Sequence, residues 1–218
     1  MTTKLSLATA ARPHLDAFFA KADPVRGRLI FAIDATASRQ PTWDTAAKLT
    51  GEMFTAASGV GGLDVQLVYF RGAGECVASK WLNDAKSLTS IMSRVSCAAG
   101  VTQHRKVLMH ADKENQIKKV NALILVSDAC EETPSGLYDA TGSVPVFLFQ
   151  EGNDDGVAEI FATIARRSGG ASCSFDSSAA ARLADLLKAV AAFAVGGIKA
   201  LADQNSDAAR LLLTQVKK

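Results

Sequence analysis

Apolar residues fall along the chain in short runs separated by amphipathic stretches. RLIFAI (28–33), LDVQLVYF (63–70), NALILVS (121–127) and VPVFLF (144–149) have the length of strands, and ASCSF (171–175) is a weaker fifth run after a glycine pair. RLIFAI, ALILV and VPVFLF are almost continuously apolar rather than alternating, which suits strands of a parallel sheet covered on both faces. Helical spacing fills the intervals at 42–57, with Thr42 as an N-cap after Gln40-Pro41, then at 84–94, 103–117, 154–168 and 178–195. NDDG (153–156) reads as the start of the fourth of these helices, because the spaced acids of a calcium loop are missing. GECVASKWL (74–82), entered through the turn signal RGAG (71–74), predicts a short antiparallel edge strand. Strand–helix alternation at this rhythm predicts an α/β fold. Its central sheet is doubly wound, mostly parallel and flanked by helices, with right-handed crossovers and one antiparallel edge strand.

The two ends add helices. Leu15, Phe18 and Phe19 give residues 1–24 an apolar stripe, and Leu211, Leu212, Leu213 and Val216 do the same for residues 196–218. Both segments are predicted as helical extensions packed on a core domain of residues 25–195. A chain of 218 residues, 48% hydrophobic and 21% charged, accommodates one such domain with additions. The first residues lack the apolar core of a secretory signal, being interrupted by Arg12, Pro13, His14 and Asp16. The most apolar stretch, residues 189–202, contains Lys199 and falls short of the roughly 20 residues of a membrane span. A net charge of +2 gives no argument for a nucleic-acid partner. Cys76, Cys97, Cys130 and Cys173 form no C-x-x-C pair, and with three histidines in the chain a zinc site has few ligands. Reduced thiols and a cytoplasmic location are the expectation.

In open parallel sheets, ligands gather beyond the carboxyl ends of the strands, where strand order reverses. Three segments deliver polar residues to that edge. Asp34, Thr36 and Ser38 follow the first strand, Thr102 precedes the 103–117 helix, and Asp128 closes ALILVSD. In extended chain, residues two apart face the same way, so Asp34, Thr36 and Ser38 share one side, with small alanines between them. Two carboxylates and three hydroxyls are an oxygen donor set suited to a hard cation, Mg²⁺ first, with Mn²⁺ and Ca²⁺ as alternatives. Two aspartates just neutralise a divalent ion, which leaves it an acceptor for one further anionic oxygen. Thr102 also reads as an N-cap, and Glu131 and Glu132 as solvated loop charges. Arg39, Gln40, Trp43, Gln103, His104 and Arg105 are expected around the upper rim, either as ordinary exposed residues or as groups that attract an acidic partner.

The order D-x-T-x-S, lone Thr, strand–Asp resembles the von Willebrand factor A-type domain and its metal-ion-dependent adhesion site. RLIFAIDATAS (28–38) is similar to that family's first strand and D-x-S-x-S motif, with Thr36 for the first serine. AAGVTQHRKVL (98–108) resembles the segment carrying its threonine, ALILVSDA (122–129) the strand carrying its second aspartate, and IFATIARRSGGASCSF (160–175) its late helix and last strand. The likeness runs in order over about residues 25–195 and implies a Rossmann-like fold. Ala129 stands where the family often has glycine, and Val101 where a second glycine is common. The resemblance implies a non-enzymatic protein-binding module in which a partner's Asp or Glu completes the coordination of a bound cation. The competing enzymatic reading is a Mg²⁺-dependent phosphohydrolase of the haloacid dehalogenase type, using Asp34. Such enzymes need a second acid two residues on for acid–base work, where this chain has Thr36. RNA binding is a third reading, against which stand 6% aromatic content and dispersed lysines.

Overall fold

The first apolar run and one residue on either side of it, Gly27–Asp34, form strand β1, and all eight residues are buried. The computed structural model describes residues 26–176 and 180–216; the helix expected over 1–24 lies outside them. After β1, a single 3₁₀ turn (Ala37–Arg39) leads into α1 (Gln40–Ser58), β2 (Leu63–Arg71), β3 (Glu75–Ala78) and α2 (Ala85–Met92). The chain continues through α3 (His104–Ile117), β4 (Ala122–Ser127), α4 (Pro134–Asp139), β5 (Val146–Glu151) and α5 (Asp155–Ser168). It closes with β6 (Ala171–Phe175), α6 (Ala180–Ala202) and α7 (Asp207–Leu213).

The strands form one six-stranded sheet in the order β3-β2-β1-β4-β5-β6. All neighbours are parallel except β3, which runs antiparallel to β2 at the edge, as its turn-bounded sequence predicts. Strand order reverses between β1 and β4, so the carboxyl ends of these two strands border the expected ligand crevice.

The continuous apolar runs are explained by helices on both faces. Leu29, Phe31 and Ile33 of β1 face the layer built from α1, α2, α6 and α7, where Trp43, Met53, Leu88, Leu187 and Leu212 are buried. Ile30 and Ala32 face the opposite layer, packed on Val107 and Leu108 of α3, Leu137 of α4, and Phe161 and Ile164 of α5. Each fully buried large apolar side chain contributes about 1.5–3 kcal/mol, so the central strand is the best-anchored part of the sheet.

Several boundaries differ from those read in the sequence. The helix expected at 42–57 starts earlier, with Pro41 in its first turn, and Thr42 lies inside it rather than capping it. Its hydroxyl donates instead to Glu151. Asp154 caps α5 through the Val157 amide at 3.0 Å, and Gly169 ends that helix in the left-handed conformation (φ 78°). Helix α6 crosses residue 196 without stopping and bends at Gly197, whose φ of 66° only glycine adopts readily. Beyond the bend, Leu201, Leu212 and Val216 join the same core as Leu187. The Gln215 side chain pairs with both the amide and the carbonyl of Ser172 (3.0 and 2.9 Å), covering part of the exposed edge of β6. Cys76, Cys97, Cys130 and Cys173 are free, half-buried thiols. Among the described residues, no helix is long and apolar enough to cross a membrane.

Candidate metal centre

β1 ends on Asp34, and its pairing with β2 and β4 delivers that carboxylate to the carboxyl edge of the sheet almost fully buried, at 1% exposure. One carboxyl oxygen accepts the Thr36 amide at 2.7 Å and the other accepts the Ser127 hydroxyl at 3.0 Å. Burial raises the Asp34 carboxyl above its ordinary value, against the lowering pull of Thr36 and Ser127, and the charge of Asp128 raises it further. None of these groups is basic. Among the described residues, Asp34 is therefore a buried carboxylate with no cationic side chain paired to it, an arrangement that favours binding either a proton or a cation.

Asp34, Thr36, Ser38, Thr102 and Asp128 all line one cleft of about 250 Å³, together with Ala37, Ala99, Gly100, Ala129 and Glu131. The simple alternation argument covers only part of this convergence. Thr36 is extended, but Ser38 sits in the 3₁₀ turn, which swings it toward Asp128, 3.5 Å from its hydroxyl. The chain thus turns sharply after Thr36 instead of continuing as a strand. The lining holds three carboxylates and no basic residue. Among the described residues, no three His, Cys, Asp or Glu side chains gather as a metal-binding group; the set here draws three of its five oxygens from hydroxyls. That donor chemistry, with a buried and uncompensated Asp34, fits a hard divalent cation.

Thr102 is positioned by a reciprocal contact with the loop after β4. Its amide donates to Glu131 at 2.8 Å, and its hydroxyl accepts the Glu131 amide at 3.1 Å. Glu132 accepts the amides of His104 and Arg105, the latter at 3.0 Å. Glu132, expected as a solvated charge, is thus a cap supplied from another loop to the first turn of α3, where unpaired amides and the helix dipole favour a carboxylate. Glu131 is exposed as expected and holds the Thr102 segment ahead of the helix. Thr102 correspondingly makes no cap of its own for α3, whose N-cap residue is Gln103 with no side-chain cap bond. The Thr102 loop is also pressed against the turn after β2. A Cβ on Gly100 would lie 2.1 Å from the amide nitrogen of Gly72, a backbone atom. Gly100→Ala is expected to cost about 1–3 kcal/mol in urea unfolding; an unchanged midpoint would show that the two loops separate freely.

The rim differs most from expectation. Gln40 and Arg105 are exposed, but Arg39, Trp43, Gln103 and His104 are buried. Trp43 points into the core and donates its indole N–H to the Met92 carbonyl at 3.1 Å, because α1 turns that face toward α2. Gln103 bonds the carbonyls of Arg71 and Glu75, both at 3.2 Å, and so ties α3 to the β2–β3 turn. His104 lies edge-on to Phe70 and Phe161, and burial pushes its pKa down to about 4, so it carries no charge at neutral pH. Arg39 is paired with Asp128 and Glu151. Of the three basic groups expected to attract an acidic partner, Arg105 alone remains exposed and charged.

Three residues outside the predicted set support the site, Ser127 and Glu151 unremarked in the sequence and Glu131 expected only as a loop charge. Ser127 anchors Asp34, Glu131 holds Thr102, and Glu151 holds Arg39. Ser127 and Glu151 are the last residues of β4 and β5, so strand-end position at the ligand edge was the available signal.

No family model matches the chain, and no curated protein matches it. Solved structures do. The chain is similar to a von Willebrand factor type A protein from Catenulispora acidiphila, with 17% identity and a TM-score of 0.63 over 78% of this chain and 43% of that one. It is similar to the SpRpn10 VWA domain, with 12% identity and a TM-score of 0.56 over 73% of this chain and 95% of that one. It is also similar to the pilus adhesin SpaC from Lactobacillus rhamnosus GG, with 11% identity and a TM-score of 0.57 over 80% of this chain and 31% of that one. The chain thus spans less than half of the first and third of these proteins and nearly all of the second. At these identities the likeness shows a shared fold, that of the von Willebrand factor A domain.

Proposed function

We propose that the protein is a non-enzymatic protein-interaction module whose binding site is a divalent-cation centre, Mg²⁺ in the first instance. One observation carries the reading: residues from three separate stretches line a single cleft around a buried carboxylate that no basic group offsets. Asp34 and Asp128 would neutralise the ion, while Thr36, Ser38 and Thr102 add oxygen donors without adding charge. When bound, the cation supplies a coordination position for an Asp or Glu carboxylate of a partner. Ser127 and the Thr36 amide hold Asp34 in place, and Glu131 orients Thr102, so the protein's share is positioning. The adhesin and the VWA domain among the similar structures are consistent with an interaction role.

The phosphohydrolase reading gains nothing from the geometry. Position 36 is a threonine, and no carboxylate lies two residues beyond Asp34 to protonate a leaving group.

A pull-down from native lysate, with and without EDTA, using wild type and Asp34→Ala, tests the proposal. Partners are expected to be retained by the wild type in Mg²⁺ and lost both in EDTA and with Asp34→Ala. Retention under both conditions would sink the reading. Hydrolysis of a generic phosphate ester that disappears in Asp34→Asn would replace it with the enzymatic one.

A further inference from the structure

Arg39 follows the D-x-T-x-S stretch directly and is 4% exposed. Its guanidinium lies between two carboxylates. One nitrogen is 3.4 Å from Asp128 Oδ2, and the other is in direct contact with Glu151, which also accepts the Thr42 hydroxyl. The two contacts are unequal. At 3.4 Å the Asp128 contact is longer than a good charge-assisted hydrogen bond, whereas Glu151 is only 11% exposed, and its Oε2, the oxygen that meets Arg39, is also held by the Thr42 hydroxyl of α1. Asp128 faces two ways. It lines the 250 Å³ cleft with the other four candidate ligands, and it lines a second cleft of about 560 Å³ with Arg39, Glu151, Asn153, Ser174 and Phe175.

We propose that Arg39 is a built-in competitor for the divalent cation. It acts as the counter-cation of Asp128 in the metal-free protein and must give up that carboxylate when a metal takes it. This inference rests on the cation-centre reading above. Two positive charges cannot share one partly buried carboxylate oxygen without mutual repulsion, and burial removes most of the screening that would weaken it. Glu151 gives the displaced guanidinium somewhere to remain, so the exchange leaves no buried charge unpaired. The arrangement lowers metal affinity, and it makes Glu151, which lies outside the ligand set, a determinant of that affinity.

The test is calorimetric titration of the EDTA-stripped full chain with MgCl₂ and MnCl₂, alongside thermal melts in EDTA to establish folding. Arg39→Gln is expected to bind the metal about tenfold more tightly than wild type. Glu151→Gln removes one of the two carboxylates paired with Arg39 and so strengthens its hold on Asp128; it is expected to bind several-fold more weakly. Arg166→Gln removes an exposed positive charge on α5 that touches no candidate ligand, and it is expected to stay within about twofold of wild type. Should Arg39→Gln fail to fold, Arg39→Lys keeps the charge but lacks the fork that reaches two carboxylates, and an intermediate gain is expected. The proposal is overturned if neither Arg39 variant binds more tightly than wild type, or if Arg166→Gln matches the gain and bulk charge explains it. If all these proteins bind equally and Asp34→Ala does not bind, the cation centre stands and the role of Arg39 falls. If none binds at millimolar metal, both fall together.

Discussion

Lowering the pH from 6.5 to 4 is expected to cost the fold about 3 kcal/mol through one residue, His104. The ring is fully buried, both of its nitrogens lack a hydrogen-bond partner among the described residues, and a Glu132 carboxylate oxygen is 3.8 Å from Nδ1. Burial holds its pKa near 4, against 6.5 for the free side chain, with the charge of Glu131 working weakly the other way. On acidification the unfolded chain takes up its proton first, at about 6.5, while the folded chain resists until about 4. Stability is therefore complete above 6.5, declines between the two values, and loses nothing more through this group below 4. His104→Leu removes the titration together with two unpaired polar atoms. It is expected to match or exceed wild type at pH 7.5 and to pull ahead steadily as the pH falls. Urea midpoints at several pH values, without divalent cations, measure the difference. Asp34 and Glu132, whose carboxyls are also raised by burial, titrate in both proteins and cancel in the comparison. Parallel stability curves for the two proteins would refute the assignment.

Arg28→Ala is the substitution expected to destabilise the fold most, by about 3–5 kcal/mol. Arg28 is the second residue of β1, with its side chain 7% exposed, and meets three kinds of partner. It pairs with Glu114 at 3.2 Å, donates to the carbonyls of Lys118 and Lys119, and lies 3.8 Å over the ring of Trp81. Trp81 donates its indole N–H to the same Glu114 oxygen at 2.9 Å. Truncation leaves Glu114 without its cation, two carbonyls without a donor, and Trp81 without its stacked guanidinium. Arg28→Lys restores charge but neither the fork nor the stacking, and is expected to recover only part of the loss. A nearby pair sets the scale. Arg26 also meets a carboxylate, Asp64 at 2.7 Å, but its side chain is 36% exposed, and Arg26→Ala is expected to cost about 0–1 kcal/mol. Urea unfolding followed by Trp81 fluorescence compares the three variants. Equal losses for Arg26→Ala and Arg28→Ala would mean that burial does not set the difference.

Much of the architecture was legible because it rests on patterns that tertiary contacts reinforce. RLIFAI, ALILV and FLF are continuous apolar runs for the same reason that their strands lie between two helical layers, and ECVA is short and mixed because it forms an edge. The convergence of Asp34, Thr36, Ser38 and Asp128 on one cleft was legible because they follow strand ends, which the parallel topology gathers at one edge, with Thr102 brought there by the loop before α3. The rim was not legible, because that question turns on which face of a helix is buried. Trp43 and His104 lie beside the site in sequence, yet α1 and α3 rotate them into the core. The roles of Glu131, Glu132 and Glu151 were hidden for a related reason. Each answers a group distant in the chain, namely the Thr102 segment, the first turn of α3 and Arg39, and no local pattern records such pairings.

The continuous pairing of β1 has a mechanical consequence for the cleft. Asp34 ends a strand hydrogen-bonded to neighbours on both sides, and the next residue, Ala35, still donates its amide to Phe70 at 3.0 Å. Shifting the backbone that carries that carboxylate means breaking the middle of the sheet, an opening that approaches complete unfolding in cost. Ser38, Thr102 and Asp128 are carried by a turn and two loops, whose openings are far cheaper. The cleft thus has one stiff wall and one compliant wall, and any fit to an ion of different radius falls to the compliant side while Asp34 serves as the fixed reference point.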